Sequence, residues 1–467
     1  MKTPTFPEFS ADKTAMTPTQ HLVISTLQSC SRHISTTECL PAGNSEKIKM
    51  KNETKKATNM TSAEIKALAE ETYKKCVKKF DIYLEKYSGE PYELGGCMSG
   101  NYFDGAEKCK LKVSSNWLTS CITGLAPLYY RTEKDEKLLE WAQQFEPYYY
   151  DKVYNDPVYF TMHDLGFLYS PYSVAMYQLT GDKKHRDTAL KAADELAKRF
   201  HIETGCIDAW GNETYQYLKR PVKLIVDTMM NLPLLWWAWS ETKHNYYIDV
   251  AKAHIKMVKK YLLREDGTVA HQYHFDRSTG EMIEEHNSCG YSNGSYWARG
   301  TSWAICGFAI AGRWLESKNE FLSLAREYQH IAERLADTYI KTIGKGNYVP
   351  VWDFRLPKDA PATACGSSNT HWDETKPENC IYNVDTSACS IIARGLMELL
   401  TYKENTVYRD FVDNSVRVLC QEYFNGDPNV PGILSRQGGN DSYNVLGDFY
   451  FAELLQTYTN ESIQTCW

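Results

Sequence analysis

Hydrophobic residues recur at helical spacing along most of the chain, from about residue 62 onwards. In the first such stretch Ile65, Ala69 and Tyr73 fall on one helix face. Ser62 precedes them and is a residue type that favours the N-cap position. The pattern predicts twelve helical segments, and after this first one they cover residues 115–131, 135–149, 167–180, 183–201, 222–240, 243–263, 299–317, 320–343, 384–402, 405–424 and 446–460.

The predicted helices differ in how their hydrophobic residues are distributed. Segments 183–201 and 243–263 have one apolar face and one face rich in Lys and Glu. Segments 222–240 and 299–317 are apolar on nearly every side, which predicts that they are buried while the amphipathic helices lie outside them. Six such pairs indicate an all-α fold, an (α/α)6 barrel or six-hairpin toroid. An open helical solenoid shows the same alternation but also a sequence repeat, which this chain lacks.

Three regions depart from the helical pattern. Residues 1–60 are rich in Thr, Ser, Lys and Pro, and we expect a disordered leader there, followed by a single (α/α)6 domain at residues 61–467. Alternation typical of a strand is strongest at residues 268–275, where we expect a short hairpin arm. Residues 344–383 form a long irregular stretch, which in a compact domain is usually a functional loop.

Charge and hydropathy exclude two classes of partner. The net charge is -7, and no Lys/Arg-rich stripe recurs that would bind the phosphates of a nucleic acid. The longest apolar runs, such as residues 232–239, are far shorter than a membrane span, and the N-terminal region lacks the pattern of a secretory signal. We therefore expect a cytoplasmic protein without nucleic acid or membrane partners, present as a monomer or a weak oligomer.

The 14 cysteines are scattered along the chain without a CxxC pair or the spacing of zinc ligands. Several of them, including Cys121 and Cys306, fall within apolar helical patterns, where a buried reduced thiol is the usual state. Reduced thiols agree with a cytoplasmic location. The sequence also lacks a glycine loop that would bind phosphate, so we expect neither a metal nor an organic cofactor.

Two aspartates stand in apolar surroundings. Asp164 lies at the start of a helical segment in FTMHDLGF, residues 160–167, and Asp227 lies alone in LIVDTMMNLPLL, residues 224–235. An ionised carboxylate in such a place is costly unless it is paired or protonated. Burial raises the pKa of a carboxyl and a helix N-terminus lowers it, so different surroundings can make one of the two an acid. A structural interpretation stays open, with Asp164 as an N-cap and Asp227 as a satisfied core residue.

The segment GYSNGSYWARGTSW, residues 290–303, combines aromatic rings with a cation. Trp297, Arg299 and Trp303 lie together at the start of a predicted inner helix. Tryptophan faces stack on sugar rings, and arginine binds a carboxylate through two parallel hydrogen bonds. Aromatic packing between helices with an arginine ion pair is the structural alternative.

In these segments the chain resembles the unsaturated glucuronyl hydrolases of glycoside hydrolase family 88. The family fold is an (α/α)6 barrel, in agreement with the twelve predicted helices. The resemblance implies a hydrolase of unsaturated uronyl oligosaccharides, the products of polysaccharide lyases, whose non-reducing sugar is a uronate with a C4=C5 double bond. The matching pieces occur in order and read HDLGF at 163–167, VDTMMNLPLLWWA at 226–238, GYSNGSYWARGTSWAI at 290–305, VDTSACSIIARGLMEL at 384–399 and GDFYFAELL at 447–455.

The implied reaction is a hydration and not a displacement at the anomeric carbon. An acid protonates C4, water adds at C5, and the resulting hemiketal opens to release the aglycone. The resemblance gives Asp227 the role of acid and base, and Asp164 the role of a second essential aspartate that contacts ring hydroxyls. It places the substrate among six further residues, which are His163, His271, Trp297, Arg299, Trp303 and Trp117.

Three features concern substrate preference. Cys289 stands where the family often has Gln, and Ile122 stands where it often has Trp, both at the expected rim of the pocket. A polar, glycine-rich segment precedes the last inner helix, and we expect Ser442 and Asn444 in it to bind substrate because loops on a rigid scaffold carry specificity. Neutral groups there favour unsulfated or lightly sulfated disaccharides.

Two other functions fit part of the sequence. An unsaturated rhamnogalacturonyl hydrolase would share the barrel and the chemistry, although the HDLGF segment favours the glucuronyl enzyme. A non-catalytic sugar-binding toroid would keep the tryptophans without needing Asp164 and Asp227 in apolar surroundings.

Overall fold

Helices make up most of the structure. In this computed structural model the described residues are 60–86, 117–155, 162–211, 220–356, 384–435, 443–463 and 465–467. The α-helices in chain order are α1 (Ser62–Lys79), α2 (Asp81–Lys86), α3 (Ser120–Thr123), α4 (Leu125–Glu133), α5 (Glu136–Gln143), α6 (Glu146–Tyr154), α7 (Leu165–Tyr169), α8 (Ala175–Thr180), α9 (Lys183–Lys198), α10 (Leu232–Thr242), α11 (Asn245–Met257), α12 (Ala298–Glu316), α13 (Leu322–Ile343), α14 (Thr386–Leu400), α15 (Thr406–Val418) and α16 (Val445–Thr459).

The helices form two concentric rings, which confirms the predicted (α/α)6 barrel. The inner ring consists of α3 with α4, α7 with α8, α10, α12, α14 and α16, and each inner helix contacts the next. The outer ring consists of α1, α5 with α6, α9, α11, α13 and α15. Every residue of α14 is buried, whereas α13 is buried along one face only, so the predicted difference between inner and outer helices is confirmed.

Helix α1 closes the ring by packing against α15 and α16. Ser62 Oγ donates a hydrogen bond to Asp413 Oδ2 of α15 at 2.7 Å, and Gln456 Nε2 of α16 donates to Tyr73 Oη at 2.7 Å. The N-cap of α1 is Thr61 and not the predicted Ser62. Its hydroxyl accepts from the Glu64 amide while the Glu64 carboxylate accepts from the Thr61 amide, so the two residues form a capping box.

The predicted helix over residues 222–240 is wrong in its first half. There the chain forms a strand, Val222–Ile225, and then a 3-10 turn, Val226–Met230, before α10 begins. A short buried apolar run has no periodicity that separates a strand from a helix, and the β-branched residues of this run favour the strand. The consequence for function is that Asp227 lies in a short 3-10 helix and not within an α-helix.

Five short strands accompany the barrel in the described residues. Strands β1 (Phe200–His201) and β2 (Cys206–Ile207) form one small ladder. Strand β3 is Val222–Ile225, and it pairs antiparallel with β4 (Gln272–Phe275), which pairs with β5 (Met282–His286). The expected hairpin arm is therefore present, with β4 as its first strand. Since β3 leads directly into the turn with Asp227, this sheet fixes that turn.

Several predictions fall on residues outside the described ranges. The disordered leader is one of them, and the organisation of residues 61–467 as a single domain stays a prediction. No helix of the described residues is long and apolar enough to cross a membrane. The eight described cysteines are free, and all of them except Cys289 are buried, as predicted for reduced thiols.

Candidate active site

Asp164 and Asp227 lie on neighbouring segments of the inner ring. Asp164 directly precedes α7, and Asp227 lies in the 3-10 turn that precedes α10, a helix in contact with α7. The two carboxyl groups are close enough for the negative charge of Asp227 to raise the pKa of Asp164. The fold therefore brings together the two aspartates that the sequence analysis selected.

Burial raises the pKa of both carboxyl groups. It is the largest cause in each case, and it brings the pKa of Asp164 to about 8 and that of Asp227 to about 7. The positive charge of Arg299 lowers the pKa of Asp227 and so limits the rise. A carboxyl group with a pKa near 7 exchanges protons readily at neutral pH, which is the property of an effective general acid and base.

Neither structural interpretation of the two aspartates fits their contacts. Asp164 occupies the N-cap position of α7, but its side chain makes no capping hydrogen bond. Asp227 Oδ1 is buried and has no hydrogen-bond partner among the described residues. A core carboxylate that served only stability would be paired, because an unsatisfied buried acceptor costs about 1–3 kcal/mol.

His163 connects the two aspartate segments. Its Nδ1 lies 2.7 Å from Thr228 Oγ1, and its Nε2 lies 3.3 Å from Asp164 Oδ1. Burial lowers the pKa of His163 well below its usual value, so the ring is neutral at neutral pH. These contacts give His163 a positioning role, and its predicted contact with substrate stays a prediction.

Asn231 was missed by the sequence analysis and holds both segments in place. Its Oδ1 accepts from the Phe167 amide at 2.9 Å, its Nδ2 donates to the Asp227 carbonyl at 3.3 Å, and a hydrogen bond from its side chain lowers the pKa of Asp164. A Cβ on Gly166 would lie 2.3 Å from Asn231 Cα, so only glycine permits this approach. The indication in the sequence was one amide residue inside an otherwise apolar run.

We expect Asn231→Ala to lower kcat with a smaller effect on KM, because Asp164 and Asp227 lose their common support. The variant should also lose about 1–3 kcal/mol of unfolding free energy, since the Phe167 amide is left unpaired. Steady-state kinetics and thermal unfolding measure the two effects. Asn405→Ala, which removes the N-cap of α15 on the outer ring, should lower stability without lowering kcat. Equal kcat values for Asn231→Ala and wild type would contradict the assignment.

Arg299 is held from two sides. Its Nη1 donates to Asp385 Oδ2 at 2.7 Å and to Ser387 Oγ at 3.0 Å, both at the start of α14. The guanidinium carbon lies 5.1 Å from the centre of the Trp297 ring. Asp385 is itself fixed, because its side chain accepts from the Ala388 amide as the N-cap of α14. The arginine fork is therefore oriented in advance, close enough to Asp227 to influence its pKa.

His271 and Trp297 present unpaired donors beside this arginine. Their rings pack edge to face, with the ring centres 5.1 Å apart. His271 Nδ1 accepts from the Ser288 amide at 3.1 Å, so the ring hydrogen is on Nε2, and burial lowers the pKa of His271 to about 3. Both His271 Nε2 and Trp297 Nε1 are buried without a hydrogen-bond partner among the described residues. Because the Val226 amide donates to the His271 carbonyl at 3.0 Å, these donors belong to the same site as Asp227.

A row of aromatic rings lies next to Asp164. The ring centre of Phe167 lies 5.2 Å from that of Trp117 and 5.1 Å from that of Trp303. Trp303 is buried and also packs against Tyr450 at 5.0 Å. Trp117 is half-buried. The structure thus gives Trp303 a packing role, and substrate contacts of Trp117 and Trp303 stay predictions.

The residues expected to set substrate preference differ in where the structure places them. Burial, followed by the charge of Asp227, raises the pKa of the Cys289 thiol to about 12, so a neutral thiol lies near the carboxyl groups. Ile122 was expected at the rim, but it is buried in the core of the barrel. Ser442 lies outside the described residues. Asn444 caps α16, since its Oδ1 accepts from the Leu446 amide at 2.9 Å.

Comparisons with known proteins identify the relatives of the chain. The sequence model of Glycosyl Hydrolase Family 88 matches residues 105–343. The chain is 29% identical over 399 residues to the unsaturated chondroitin disaccharide hydrolase of Streptococcus agalactiae, covering 83% of this chain and 90% of that protein. It is 28% identical over 365 residues to the unsaturated glucuronyl hydrolase of Bacillus sp. GL1, covering 75% and 88%. The crystal structure of the unsaturated glucuronyl hydrolase from Bacillus sp. GL1 is similar in fold, with a TM-score of 0.67 at 25% identity, over 86% of this chain and 99% of that one.

Proposed function

The chain belongs to glycosyl hydrolase family 88, and on this basis we propose that it releases a 4,5-unsaturated uronic acid from the non-reducing end of lyase-generated oligosaccharides. The observation that carries the proposal is that three residues close to Arg299 each have a buried polar atom without a partner among the described residues, namely Asp227 Oδ1, His271 Nε2 and Trp297 Nε1. Each of them is costly to leave unpaired, and together they fit a polar ring with a carboxylate. The relatives are named for unsaturated chondroitin disaccharides and unsaturated glucuronyl groups, which supports the same substrate class.

Asp227 supplies and recovers the proton. In its protonated form it gives the proton to C4, the electron pair of the C4=C5 bond forms the new C–H bond, and positive charge develops at C5 and the ring oxygen. The Asp227 carboxylate then takes a proton from the water that adds at C5. One water is consumed, the hemiketal opens and the aglycone leaves as an alcohol. A pKa near 7 suits both proton transfers.

The remaining residues bind and orient the sugar. Arg299 pairs with the uronate carboxylate, which explains why its fork is fixed in advance by Asp385. His271 Nε2 and Trp297 Nε1 donate hydrogen bonds to oxygens of the same sugar. Asp164, with a pKa of about 8, is largely protonated at neutral pH and can donate to a ring hydroxyl without adding a second charge beside Asp227.

The test of this function is the ultraviolet absorbance of the C4=C5 bond. We expect absorbance to fall with unsaturated disaccharides from one or more of chondroitin, hyaluronan, heparin and ulvan, and to stay constant with the same disaccharides after the double bond is saturated. Turnover of rhamnogalacturonan products alone would assign the rhamnogalacturonyl activity instead. Binding of unsaturated disaccharides without any loss of absorbance would identify a sugar-binding toroid.

We expect kcat/KM to fall as the pH rises through about 7, because the raised pKa of Asp227 means that its acid form is lost over that range. Arg299→Met removes the charge that lowers this pKa, so the alkaline limb of the profile should move to higher pH. An exposed arginine of α13 offers a control, since Arg326→Met should leave the limb in place. A wild-type limb centred near pH 4, the ordinary value for an aspartate, would contradict the role of Asp227.

We expect Asn444→Ala to lower the free energy of unfolding by about 1 kcal/mol, because α16 loses its N-cap. Thermal unfolding measures this loss, and Asn444→Asp should restore most of the stability because Asp also caps helices well. If Asn444 also contacts the substrate, Asn444→Asp should change the ratio of kcat/KM between sulfated and unsulfated disaccharides. Wild-type stability of the Ala variant would contradict the capping role.

We further propose a cytoplasmic location and a monomeric or weakly oligomeric state. The eight described free cysteines support a reducing compartment. The net charge of -7 supports the absence of nucleic acid partners. Cell fractionation and size-exclusion chromatography test these two points.

A further inference from the structure

Three side chains with metal-binding groups meet on one face of the β4–β5 hairpin. His274, Glu284 and His286 each have one ligand atom within 4.8 Å of the other two. His274 lies directly opposite Glu284 in the strand register, and His286 follows two residues later on the same strand. Alternate residues of a strand share a face, so all three side chains point to the same side. The sequence analysis found no such group because the ligands join across two strands and have no motif spacing.

We propose that His274, Glu284 and His286 bind a divalent transition metal ion such as Zn²⁺, which holds the hairpin together beside the active site. Two imidazoles and one carboxylate form a donor set that suits Zn²⁺. His274 Nδ1 and Glu284 Oε1 are 3.1 Å apart, close to the about 3.3 Å between two ligands of tetrahedral zinc. The imidazoles of His274 and His286 are stacked, with their ring centres 4.8 Å apart.

One negative and one positive side chain lie beside the cluster. His274 is largely buried, with 12% of its side chain exposed. Glu284 is 53% exposed and supplies a negative charge. Lys223 lies opposite His274 on β3, but its ammonium group lies 5.2 Å over the ring of Trp210. Lys223 still places a positive charge beside the cluster, and the Glu284 carboxylate must offset it when a metal ion binds.

Gln272 provides a second, independent indication. It lies on the same face of β4, is 1% exposed, and its amide oxygen has no hydrogen-bond partner among the described residues. Its amide nitrogen lies 3.4 Å from His274 Nε2. Histidines that bind metals usually donate their second ring hydrogen to a carbonyl or carboxylate. A half-turn of the Gln272 amide places its oxygen at His274 Nε2 and meets this requirement.

The cluster lies close to the candidate active site, so a bound ion would stabilise strands next to that site. Strand β4 begins one residue after His271, and His286 is near enough to lower the pKa of that histidine. Strand β4 also pairs with β3, the strand that leads to Asp227. An ion at the cluster would therefore fix β4, the strand that follows His271 and pairs with β3, against β5, without contact with the reacting atoms.

The experiment is a metal titration of the full chain without a histidine tag. The protein is dialysed against a chelator and then titrated with ZnCl₂ by calorimetry, and CoCl₂ is added to a second sample to record the visible spectrum. We expect one ion per chain, a tetrahedral Co²⁺ spectrum and a higher thermal midpoint with Zn²⁺. Removing a residue that only hydrogen-bonds to a metal ligand typically lowers metal affinity by about 10- to 100-fold. Loss of a ligand itself, in His286→Ala or Glu284→Gln, should lower the affinity for Zn²⁺ by at least that much.

Two matched variants control for weak surface binding. His330→Ala removes an exposed histidine that is paired with Glu333 on α13, and Glu281→Gln removes an exposed charge in the turn of the same hairpin. Both should bind Zn²⁺ like wild type. Circular dichroism establishes that the ligand variants are folded. The proposal is overturned if His286→Ala and Glu284→Gln bind Zn²⁺ as tightly as wild type, or if wild type binds none. Because the readout is metal binding, it is independent of hydrolase activity.

Discussion

Asp227→Asn should leave the barrel folded and reduce turnover of unsaturated disaccharides by about 10²- to 10⁴-fold or more. An amide of the same shape fills the same space, but it cannot give a proton to C4 or take one from water. Steady-state kinetics measure the loss, and circular dichroism establishes the fold. Asp249→Asn, at an exposed position on α11, is the matched control and should retain wild-type rates. Turnover near the wild-type value by a folded Asp227→Asn protein would end this assignment.

The same substitution should stabilise the protein at alkaline pH. Burial raises the pKa of Asp227 from 3.8 to about 7, so the fold favours the protonated form. The stability that this group contributes is fully present below about pH 4 and is lost as the pH rises through 7. Asparagine has no charge to lose, so the variant should be more stable than wild type at pH 8, and the difference should shrink towards pH 4. Thermal unfolding across this range measures it.

Arg299→Lys should raise KM by about 10- to 100-fold while the free energy of unfolding changes little. Lysine keeps the charge but loses the planar fork that binds a carboxylate at two points, and hydrogen bonds to charged groups contribute about 1.5–3 kcal/mol. A single ammonium group also cannot serve Asp385 and the substrate at once with the same geometry. Kinetics with unsaturated disaccharides, combined with thermal unfolding, separate recognition from stability.

The barrel offers a matched control for this variant. Arg313 also lies on α12 and pairs with α14, through Glu398, but near the C-terminal end of the two helices. Arg313→Lys should lower stability and leave KM unchanged. If Arg299→Lys behaves in the same way, with a lower thermal midpoint and an unaltered KM, then Arg299 is a structural ion-pair residue and does not recognise the uronate.

The sequence predicts the barrel well because burial on every side of a helix is visible in its composition. Helices such as α10 and α12 are apolar on nearly every side, and their place in the inner ring follows from that property. The strand β3 could not be recognised in the same way. It is four residues long and its apolar run continues into α10, so its pairing with β4 decides its structure.

The residues of the candidate site also differ in how far the sequence alone reveals their role. The chemistry of Asp227 and Arg299 was visible because a charged residue stands out in an apolar segment. Asn231 was not visible, because its importance comes from contacts with Phe167 and Asp164, far away along the chain. Asn444 shows a different case, since capping of α16 explains the position of this polar residue and its predicted contact with substrate stays a prediction.

Closure of the ring by α1 has a consequence for the synthesis of the chain. The buried face of α1, with Ile65, Ala69 and Tyr73, packs against α16, which the ribosome makes some 366 residues after α1 ends. At a rate of about 5–20 residues per second, the part of this surface that α16 covers waits about 18 to 73 seconds for that helix. During that time the nascent chain exposes an apolar stripe that is prone to aggregation. The yield of folded protein in a cell should therefore depend on chaperone capacity and on the speed of translation more than on the stability of the finished barrel.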